Sequence, residues 1–190
     1  MGEPGERDLD AQRRAQRVTL MVFDVDGVLT DGRLYIGAQG EVMKAFDVRD
    51  GHGIKLLREA GIDVAVLTAR SSEIVGTRAK ELGIARVLQG QSDKLAGMAR
   101  LLADSAVPPG RCGYIGDDWP DLPVLEFVGK QGGLAATVAD ACPEARALAH
   151  WTAAVGGGRG AARQLAEFIL RAQGRFDELL RKHTEGVLHA

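Results

Sequence analysis

Two carboxylates, Asp24 and Asp26, follow a run of apolar residues in the stretch MVFDVDGVLTDG. Two like charges placed one residue apart at the end of a buried strand cost free energy unless a cation or a reaction partner lies between them. The glycine that follows is typical of a turn leaving a strand. The pair therefore predicts a site that binds a cation, a reacting group, or both.

Three further polar clusters also follow apolar runs. They are Thr68 with Arg70, Lys94 at the start of a helix-like stretch, and the carboxylates Asp117, Asp118 and Asp121. In open α/β sheets, ligands bind outside the carboxyl ends of the strands. If the apolar runs are parallel strands, all four clusters converge on one crevice.

The elements that would position these clusters alternate along the chain. Short apolar runs rich in Val, Ile and Leu alternate with amphipathic stretches, which is typical of βαβ units and of a parallel sheet covered on both faces. The predicted strands are 18–23, 62–67, 86–88, 112–116 and 133–138, and the predicted helices are 53–61, 71–83, 93–105, 122–129 and 143–149. A glycine-rich linker leads into one more helix. The sequence therefore predicts a three-layer α/β fold with a central parallel sheet.

One segment departs from this alternation. Residues 33–48 form a pattern of two strands around a Gly-Ala-Gln-Gly turn, which predicts a β-hairpin inserted between the first strand and its first helix. Apolar residues fall on both faces of this hairpin, and an isolated hairpin is only marginally stable in water. It must be covered by the body of the same domain or by the same hairpin of neighbouring subunits, and we favour the second.

Length and composition set further limits. A chain of 190 residues is long enough for one buried core, so we expect one domain at 18–176 with a flexible arm at 1–17 and a charged tail at 177–190. A net charge of -2 gives no electrostatic support for nucleic-acid binding. No apolar run approaches the length of a membrane span, and no signal peptide is evident. We therefore expect a cytoplasmic protein without a membrane partner.

The predicted crevice contains several carboxylates, a lysine and a hydroxyl group. Hard oxygen ligands suit Mg²⁺, which is usually shared with a substrate phosphate. Lys94 would face the remaining phosphate oxygens as a point charge, and Thr68 would face them as a neutral donor. Carboxylate, Mg²⁺ and lysine together favour phosphoryl transfer through an aspartyl-phosphate.

The motifs DVDGVLTDG, VLTAR, the helix start at Lys94 and GDDWPDLP resemble, in this order, the four motifs of the haloacid dehalogenase-like (HAD) phosphatases. More narrowly, the span from Val18 to Phe176 resembles the 3-deoxy-D-manno-octulosonate 8-phosphate phosphatase branch, through KAFDVRDGHGI, QGQSDKL and GGRGAARQ as well. The resemblance implies a capless, Rossmann-like HAD fold and a Mg²⁺-dependent phosphomonoesterase in the pathway to lipopolysaccharide. It also implies a homotetramer whose hairpins form a central barrel.

The resemblance further implies roles for the carboxylates. Asp24 would attack phosphorus, and Asp26 would protonate the leaving sugar oxygen and later activate water. Mg²⁺ would be held by Asp24, by the backbone carbonyl of Asp26 and by Asp117. The carboxylates that would support these ligands from nearby are Asp118 and Asp121.

The phosphoryl group and the sugar acid have their own predicted contacts. The resemblance places Thr68 and Lys94 on the phosphoryl group and leaves Arg70 for a substrate carboxylate. Where the family commonly has Thr-Gly-Arg, this chain has Ala69, and alanine resists the positive φ angles that are open to glycine. The glycine-rich run around Arg159 is similar to a tail that reaches a neighbouring active site. The candidate substrate contacts are Arg70, Arg78 and Arg159, which could equally be solvated or ion-paired surface arginines.

Other interpretations stay open. Asp24 and Asp26 could form an ordinary strand-end turn, and the acidic cluster near Asp117 could cap a helix. A phosphatase of a nine-carbon sugar-acid 9-phosphate would share all four motifs, and one sequence does not rank the substrates. The chain could also be a non-catalytic oligomerisation module of the same fold, although a retired site has no physical reason to keep uncompensated carboxylates together.

Overall fold

The strands form two sheets in the computed structural model, which describes residues 5–185. In chain order they are β1 Leu20–Phe23, β2 Tyr35–Gly37, β3 Gly40–Met43, β4 Asp63–Leu67, β5 Arg86–Leu88, β6 Cys112–Ile115, β7 Leu134–Thr137 and β8 Trp151–Thr152. One sheet is wholly parallel and has the order β5, β4, β1, β6, β7, β8. The predicted central parallel sheet is therefore confirmed, with β8 added at one edge.

Helices cover both faces of this sheet. In chain order they are α1 Glu6–Ala15, α2 Val48–Glu59, α3 Glu73–Glu81, α4 Lys94–Ser105, α5 Leu122–Lys130, α6 Pro143–Leu148, α7 Ala161–Ala172 and α8 Phe176–Glu185. Helix α2 packs against α7 on one face, and α5 packs against α4 and α6 on the other. Strand β1, at the middle of the sheet, is buried along its whole length, as expected of a strand that is covered on both sides.

The N-terminal segment differs from the expected flexible arm. Helix α1 packs against α7, and its Ala11 and Ala15 are buried. The side-chain amide of Gln173 donates hydrogen bonds to the carbonyls of Ala15 (3.0 Å) and Val18 (2.9 Å). The sequence pattern did not predict this packing because small alanines, rather than large apolar residues, form the buried stripe.

The C-terminal segment continues as helix α8 beyond Phe176, where the sequence predicted a charged tail. Leu179 is buried on this helix, whereas Leu180 is exposed. The parts of the predicted arm and tail at 1–4 and 186–190 lie outside the described residues. The division into a domain at 18–176 and two flanking segments stays a prediction. Within residues 5–185, every helix is too short or too polar to cross a membrane.

The predicted hairpin is present as a separate sheet, in which β2 and β3 pair antiparallel. Several of its apolar side chains point into solvent: Ile36 is 61% exposed, Val42 62% and Met43 50%. The body of the same chain therefore leaves these apolar side chains of the hairpin uncovered.

The glycine-rich run 156–160 packs against the loop that follows β1 of the same chain. Gly158 has a φ of +62° and donates a hydrogen bond from its N–H to the carbonyl of Val28 (2.9 Å). A side chain on Gly157 would collide with the carbonyl of Gly27. This close approach holds the loop that begins directly after the paired carboxylates.

Candidate active site

The four polar clusters meet at one edge of the sheet. Phe23, at the end of β1, pairs with Val66 in β4 and with Ile115 in β6, so the residues after these strands lie side by side. They line a cleft of about 340 Å³. The sequence-predicted residues that line it are Asp24, Asp26, Thr68, Arg70, Lys94, Asp117, Asp118 and Asp121. The parallel topology thus brings together residues that are distant in the sequence.

A buried ammonium group lies between two buried carboxylates in this cleft. Lys94 is the first residue of α4, where Asp93 caps the helix by accepting a hydrogen bond from the N–H of Ala96 (3.0 Å). Its Nζ lies 2.9 Å from Oδ1 of Asp24 and 2.6 Å from Oδ1 of Asp121. Burial opposes the charged form, but the two carboxylates outweigh burial and raise the pKa of Lys94. Lys94 therefore stays a cation.

The carboxylate of Asp121 is fully engaged by the chain. Its Oδ1 accepts hydrogen bonds from Lys94 and from the hydroxyl of Tyr114. Its Oδ2 accepts hydrogen bonds from the backbone N–H groups of Asp117 (3.0 Å) and Asp118 (3.2 Å). Because both oxygens are occupied, Asp121 has little capacity for a further ligand. It orients the ammonium group and the loop that follows β6.

Asp24, Asp117 and Asp121 place carboxylate oxygens within 4.8 Å of one another. Without a cation, burial and then the negative Asp121 raise the pKa of Asp24 to about 7, despite the opposing effect of Lys94. Burial and the charges of Asp24 and Asp121 raise the pKa of Asp117 to about 8. Such a crowded, buried cluster of carboxylates has the charge to hold a cation.

Gly27 permits the close approach of Asp117 to the loop after β1. Its φ of +90° lies in the left-handed region, which favours glycine. A Cβ atom at this position would collide with the carboxylate of Asp117. A larger residue would therefore displace Asp117 from the carboxylate cluster. This close contact is a steric reason for glycine at this position of the first motif.

Asp26 belongs to a second charged group, which joins the cleft to the hairpin. Its Oδ1 forms an ion pair with Nζ of Lys44, the residue after β3, and that nitrogen lies 3.0 Å from Oε1 of Glu41. Nε of Arg70 lies 3.8 Å from Oδ2 of Asp26. Sequence reasoning missed Glu41 and Lys44. The sequence contained one sign of their role, which is that two charged residues stand in or beside an otherwise apolar strand. It did not show where the hairpin folds back.

Thr68 is buried at the end of β4. Its N–H donates a hydrogen bond to the carbonyl of Leu88 (2.9 Å), and its carbonyl accepts one from the N–H of Gln91 (3.1 Å). These bonds fix Thr68 at the edge of the cleft. Ala69, which stands where the family commonly has glycine, does not adopt a positive φ, so the alanine introduces no backbone strain.

The three candidate arginines are placed differently. Arg70 lines the cleft, and its side chain is 46% exposed. Arg78 lies on α3 outside the cleft, where its guanidinium lies 5.8 Å from the ring centroid of Phe46 and forms an ion pair with Glu81 (3.2 Å). Arg159 is not among the residues that line the cleft of its own chain. A contact of Arg159 with a ligand stays a prediction.

Comparison with known proteins first defines the class. The structure matches a Legionella pneumophila hydrolase assigned to subfamily III A of the HAD superfamily, with a TM-score of 0.87 and 36% identity, over 94% of this chain and 96% of that chain. No protein-family model matches the chain. The fold is that of a HAD-superfamily hydrolase.

Other relatives are more specific. The 3-deoxy-D-manno-octulosonate 8-phosphate phosphatase of Escherichia coli is 42% identical over 174 residues, which are 92% of this chain and 90% of the relative. The crystal structure of the Moraxella catarrhalis phosphatase of the same name, in complex with a magnesium ion, a phosphate ion and KDO, has a TM-score of 0.86 and 38% identity, over 92% of this chain and 98% of that chain. The chain belongs to the 3-deoxy-D-manno-octulosonate 8-phosphate phosphatase family.

Proposed function

We propose that the chain is a Mg²⁺-dependent phosphomonoesterase that hydrolyses 3-deoxy-D-manno-octulosonate 8-phosphate to the free sugar acid and phosphate. The observation that carries this proposal is the meeting of Asp24, Asp117 and the buried ammonium of Lys94 in one cleft. Neighbouring charges of opposite sign can bind a cation and an anionic group at the same time. The Moraxella catarrhalis relative, determined with magnesium, phosphate and KDO, supports this combination.

The donor set fits Mg²⁺. Asp24 and Asp117 offer hard carboxylate oxygens whose pKa values are raised by burial and mutual repulsion, which a cation would relieve. We assign the ligands to Asp24, the backbone carbonyl of Asp26 and Asp117. Asp121 is excluded because the chain occupies both of its oxygens, and Asp118 stands beside the ligands. When bound, Mg²⁺ supplies neutralisation of charge on the phosphoryl oxygens.

Asp24 is the proposed nucleophile. One oxygen of its carboxylate forms a bond to phosphorus while the bond from phosphorus to the sugar oxygen breaks, and Asp26 gives its proton to that sugar oxygen. Asp26 then takes a proton from water as the water oxygen attacks the aspartyl-phosphate, which releases phosphate and restores Asp24. Thr68 and Lys94 hold the phosphoryl oxygens throughout, one as a neutral donor and the other as a cation.

Arg70 is the proposed contact for the carboxylate of the sugar acid. It lines the same cleft, and a guanidinium group can bind a carboxylate through two parallel hydrogen bonds. A role in the pathway to lipopolysaccharide and a cytoplasmic location are part of the proposal and rest on the resemblance to the family.

The reaction is tested by trapping the covalent intermediate in Asp26→Asn. With p-nitrophenyl phosphate, whose leaving group needs no proton, this variant should release a single nitrophenolate per chain and then stop, because no base activates water. Mass spectrometry of peptides should find the phosphoryl group on Asp24. The double variant Asp24→Asn, Asp26→Asn is the control and should carry none. A phosphoryl group on any other residue would contradict the assignment.

We expect stabilisation by Mg²⁺ to grow with pH. The pKa values of Asp24 and Asp117, about 7 and about 8, lie above the ordinary value of 3.8, so the folded state keeps protons that the unfolded state releases. The stability from these protons is present below about pH 4 and is lost as the pH rises to about 8. Mg²⁺ would replace them. At a hundredfold excess over Kd it contributes about 2.7 kcal/mol, which corresponds to about 5–10 °C in Tm for a chain of this size.

Thermal unfolding at about pH 6 and about pH 8.5, with and without Mg²⁺, measures this effect. Asp117→Asn should raise the Tm of the metal-free protein at the higher pH and abolish the response to Mg²⁺. Asp104→Asn, which changes an exposed residue of α4, should alter neither. An equal increase in Tm at both pH values would contradict the assignment of Asp24 and Asp117 as ligands.

We also propose that the hairpin joins copies of the chain into a homotetramer. Its exposed apolar side chains, including Ile36 and Val42, form the kind of patch that marks an interface. Replacing both residues by glutamate is expected to yield single chains, because charges cannot be buried unpaired in an apolar contact. Light scattering measures the mass. Leu180→Glu, at an apolar position of α8 that is 51% exposed, is the control. An unchanged mass in the double variant would contradict the proposal.

A further inference from the structure

We propose that Lys44 is a positioning residue that orients the carboxylate of Asp26 for proton transfer, and that Glu41 holds Lys44 in place. The inference rests on the proposed function, in which Asp26 exchanges a proton with the sugar oxygen and with water. It gives the inserted hairpin a part in the reaction as well as in assembly.

The burial of Lys44 is the first observation. Its side chain is 1% exposed, whereas Val42 and Met43, its apolar neighbours in the chain, are 62% and 50% exposed. The hairpin thus buries its lysine and exposes apolar residues, which is the reverse of the usual preference. An unpaired buried ammonium group costs several kcal/mol. The position of Lys44 therefore depends on carboxylate partners.

Two carboxylates offset the cost of burying the Lys44 ammonium group. Nζ of Lys44 forms an ion pair with Oδ1 of Asp26 and lies 3.0 Å from Oε1 of Glu41. The other oxygen of Glu41 accepts a hydrogen bond from the hydroxyl of Ser72, which precedes α3. Glu41 is therefore tied to the main body of the fold. Because Lys44 has two partners, it keeps a counter-charge when Asp26 carries a proton.

The ion pair distinguishes the two oxygens of Asp26. Oδ1 is engaged by Lys44, whereas Oδ2 has no hydrogen-bond donor within residues 5–185 and lies 3.8 Å from Nε of Arg70. A carboxyl group transfers a proton efficiently only when it is oriented within hydrogen-bond reach of the reacting oxygen. Lys44 fixes the rotation of the carboxylate and leaves Oδ2 for the proton.

If Lys44 orients Asp26, the decrease in the first-step rate constant caused by Lys44→Met should depend on the leaving group. The sugar oxygen is a poor leaving group and needs the proton of Asp26, whereas p-nitrophenolate leaves without one. In single-turnover experiments with saturating Mg²⁺, the first-step rate constant for 3-deoxy-D-manno-octulosonate 8-phosphate should fall by at least about 100-fold, within the range for general acid catalysis. The first-step rate constant for p-nitrophenyl phosphate, measured as nitrophenolate release, should fall by less than about 3-fold.

Several variants keep the test independent of folding. Lys44→Arg retains the charge and should recover part of the rate constant that Lys44→Met loses with the sugar phosphate. Glu41→Gln should lower the first-step rate constant less than Lys44→Met does, with the same dependence on the leaving group. Lys80→Met, at an exposed lysine of α3, is the matched control and should equal the wild type. The ratio of rate constants compares two substrates on the same protein preparation, so partial misfolding leaves this ratio unchanged.

Equal losses on the two substrates, or no loss on either, would overturn the positioning role of Lys44 while leaving the proposed function in place. If the wild-type protein released phosphate from neither substrate, the proposed function would fail, and this inference would fail with it. The wild-type rates therefore test the proposed function, and the ratio of the two Lys44→Met rate losses tests the role of Lys44.

Discussion

Asp24→Asn is expected to lower kcat for phosphate release by at least about 10⁴-fold, because an amide cannot attack phosphorus in place of a carboxylate. The substitution keeps the size of the side chain. It also leaves Lys94 paired with Asp121 at 2.6 Å, so the fold should persist. The Tm of the metal-free protein should not fall, since the change removes a carboxylate from a crowded acidic cluster.

Asp104→Asn is the matched control for this variant, because it makes the same chemical change at an exposed position of α4. Its kcat and Tm should equal those of the wild type. If Asp24→Asn folded and kept more than about a hundredth of the wild-type kcat, Asp24 would not be the nucleophile.

Lys94→Met is expected to lower the free energy of unfolding by about 3–5 kcal/mol, because removing one partner of a buried ion pair leaves the other charge uncompensated. Lys94 is 4% exposed, and its ammonium contacts both Asp24 and Asp121. The same substitution removes the cation proposed to hold the phosphoryl group. Phosphate release should therefore fall by about 10²–10³-fold in kcat as well. Denaturant unfolding and steady-state kinetics measure the two losses.

Lys130→Met separates these effects from the general cost of losing a lysine. Lys130 forms an ion pair with Glu126 (2.8 Å), but the two side chains are 70% and 53% exposed. Surface pairs of this kind contribute about 0–1 kcal/mol, so the control should lose little stability and no activity. A Lys94→Met variant as stable and active as this control would contradict the account of the cleft.

The sheet and the cleft could be predicted from the sequence because the information is local. The apolar runs that became β1, β4 and β6 are continuous, as strands buried on both faces require. Parallel strands present their carboxyl ends at one edge, so Asp24, Thr68 and the cluster at Asp117 had to meet once the topology was parallel.

Features that depend on tertiary packing were not predicted. Strand β8 has two residues, which is too short for a periodic pattern. Lys44 reaches Asp26, and Glu41 reaches Lys44, only because the hairpin folds back toward the loop after β1, and apolar residues on both hairpin faces concealed that direction. Arg78 lies on α3 outside the cleft of its own chain, and a contact of Arg78 with substrate stays a prediction.

The central claim is tested most directly by measuring phosphate release with Mg²⁺ from three substrates: 3-deoxy-D-manno-octulosonate 8-phosphate, a nine-carbon sugar-acid 9-phosphate and p-nitrophenyl phosphate. We predict a kcat/KM for the eight-carbon substrate at least about 100-fold above the other two, because substrate-specific contacts such as the one proposed for Arg70 contribute only when the sugar acid fits. Equally slow release from all three would contradict the assignment of 3-deoxy-D-manno-octulosonate 8-phosphate as the substrate. Absence of release from all three would contradict phosphatase activity and favour a non-catalytic module.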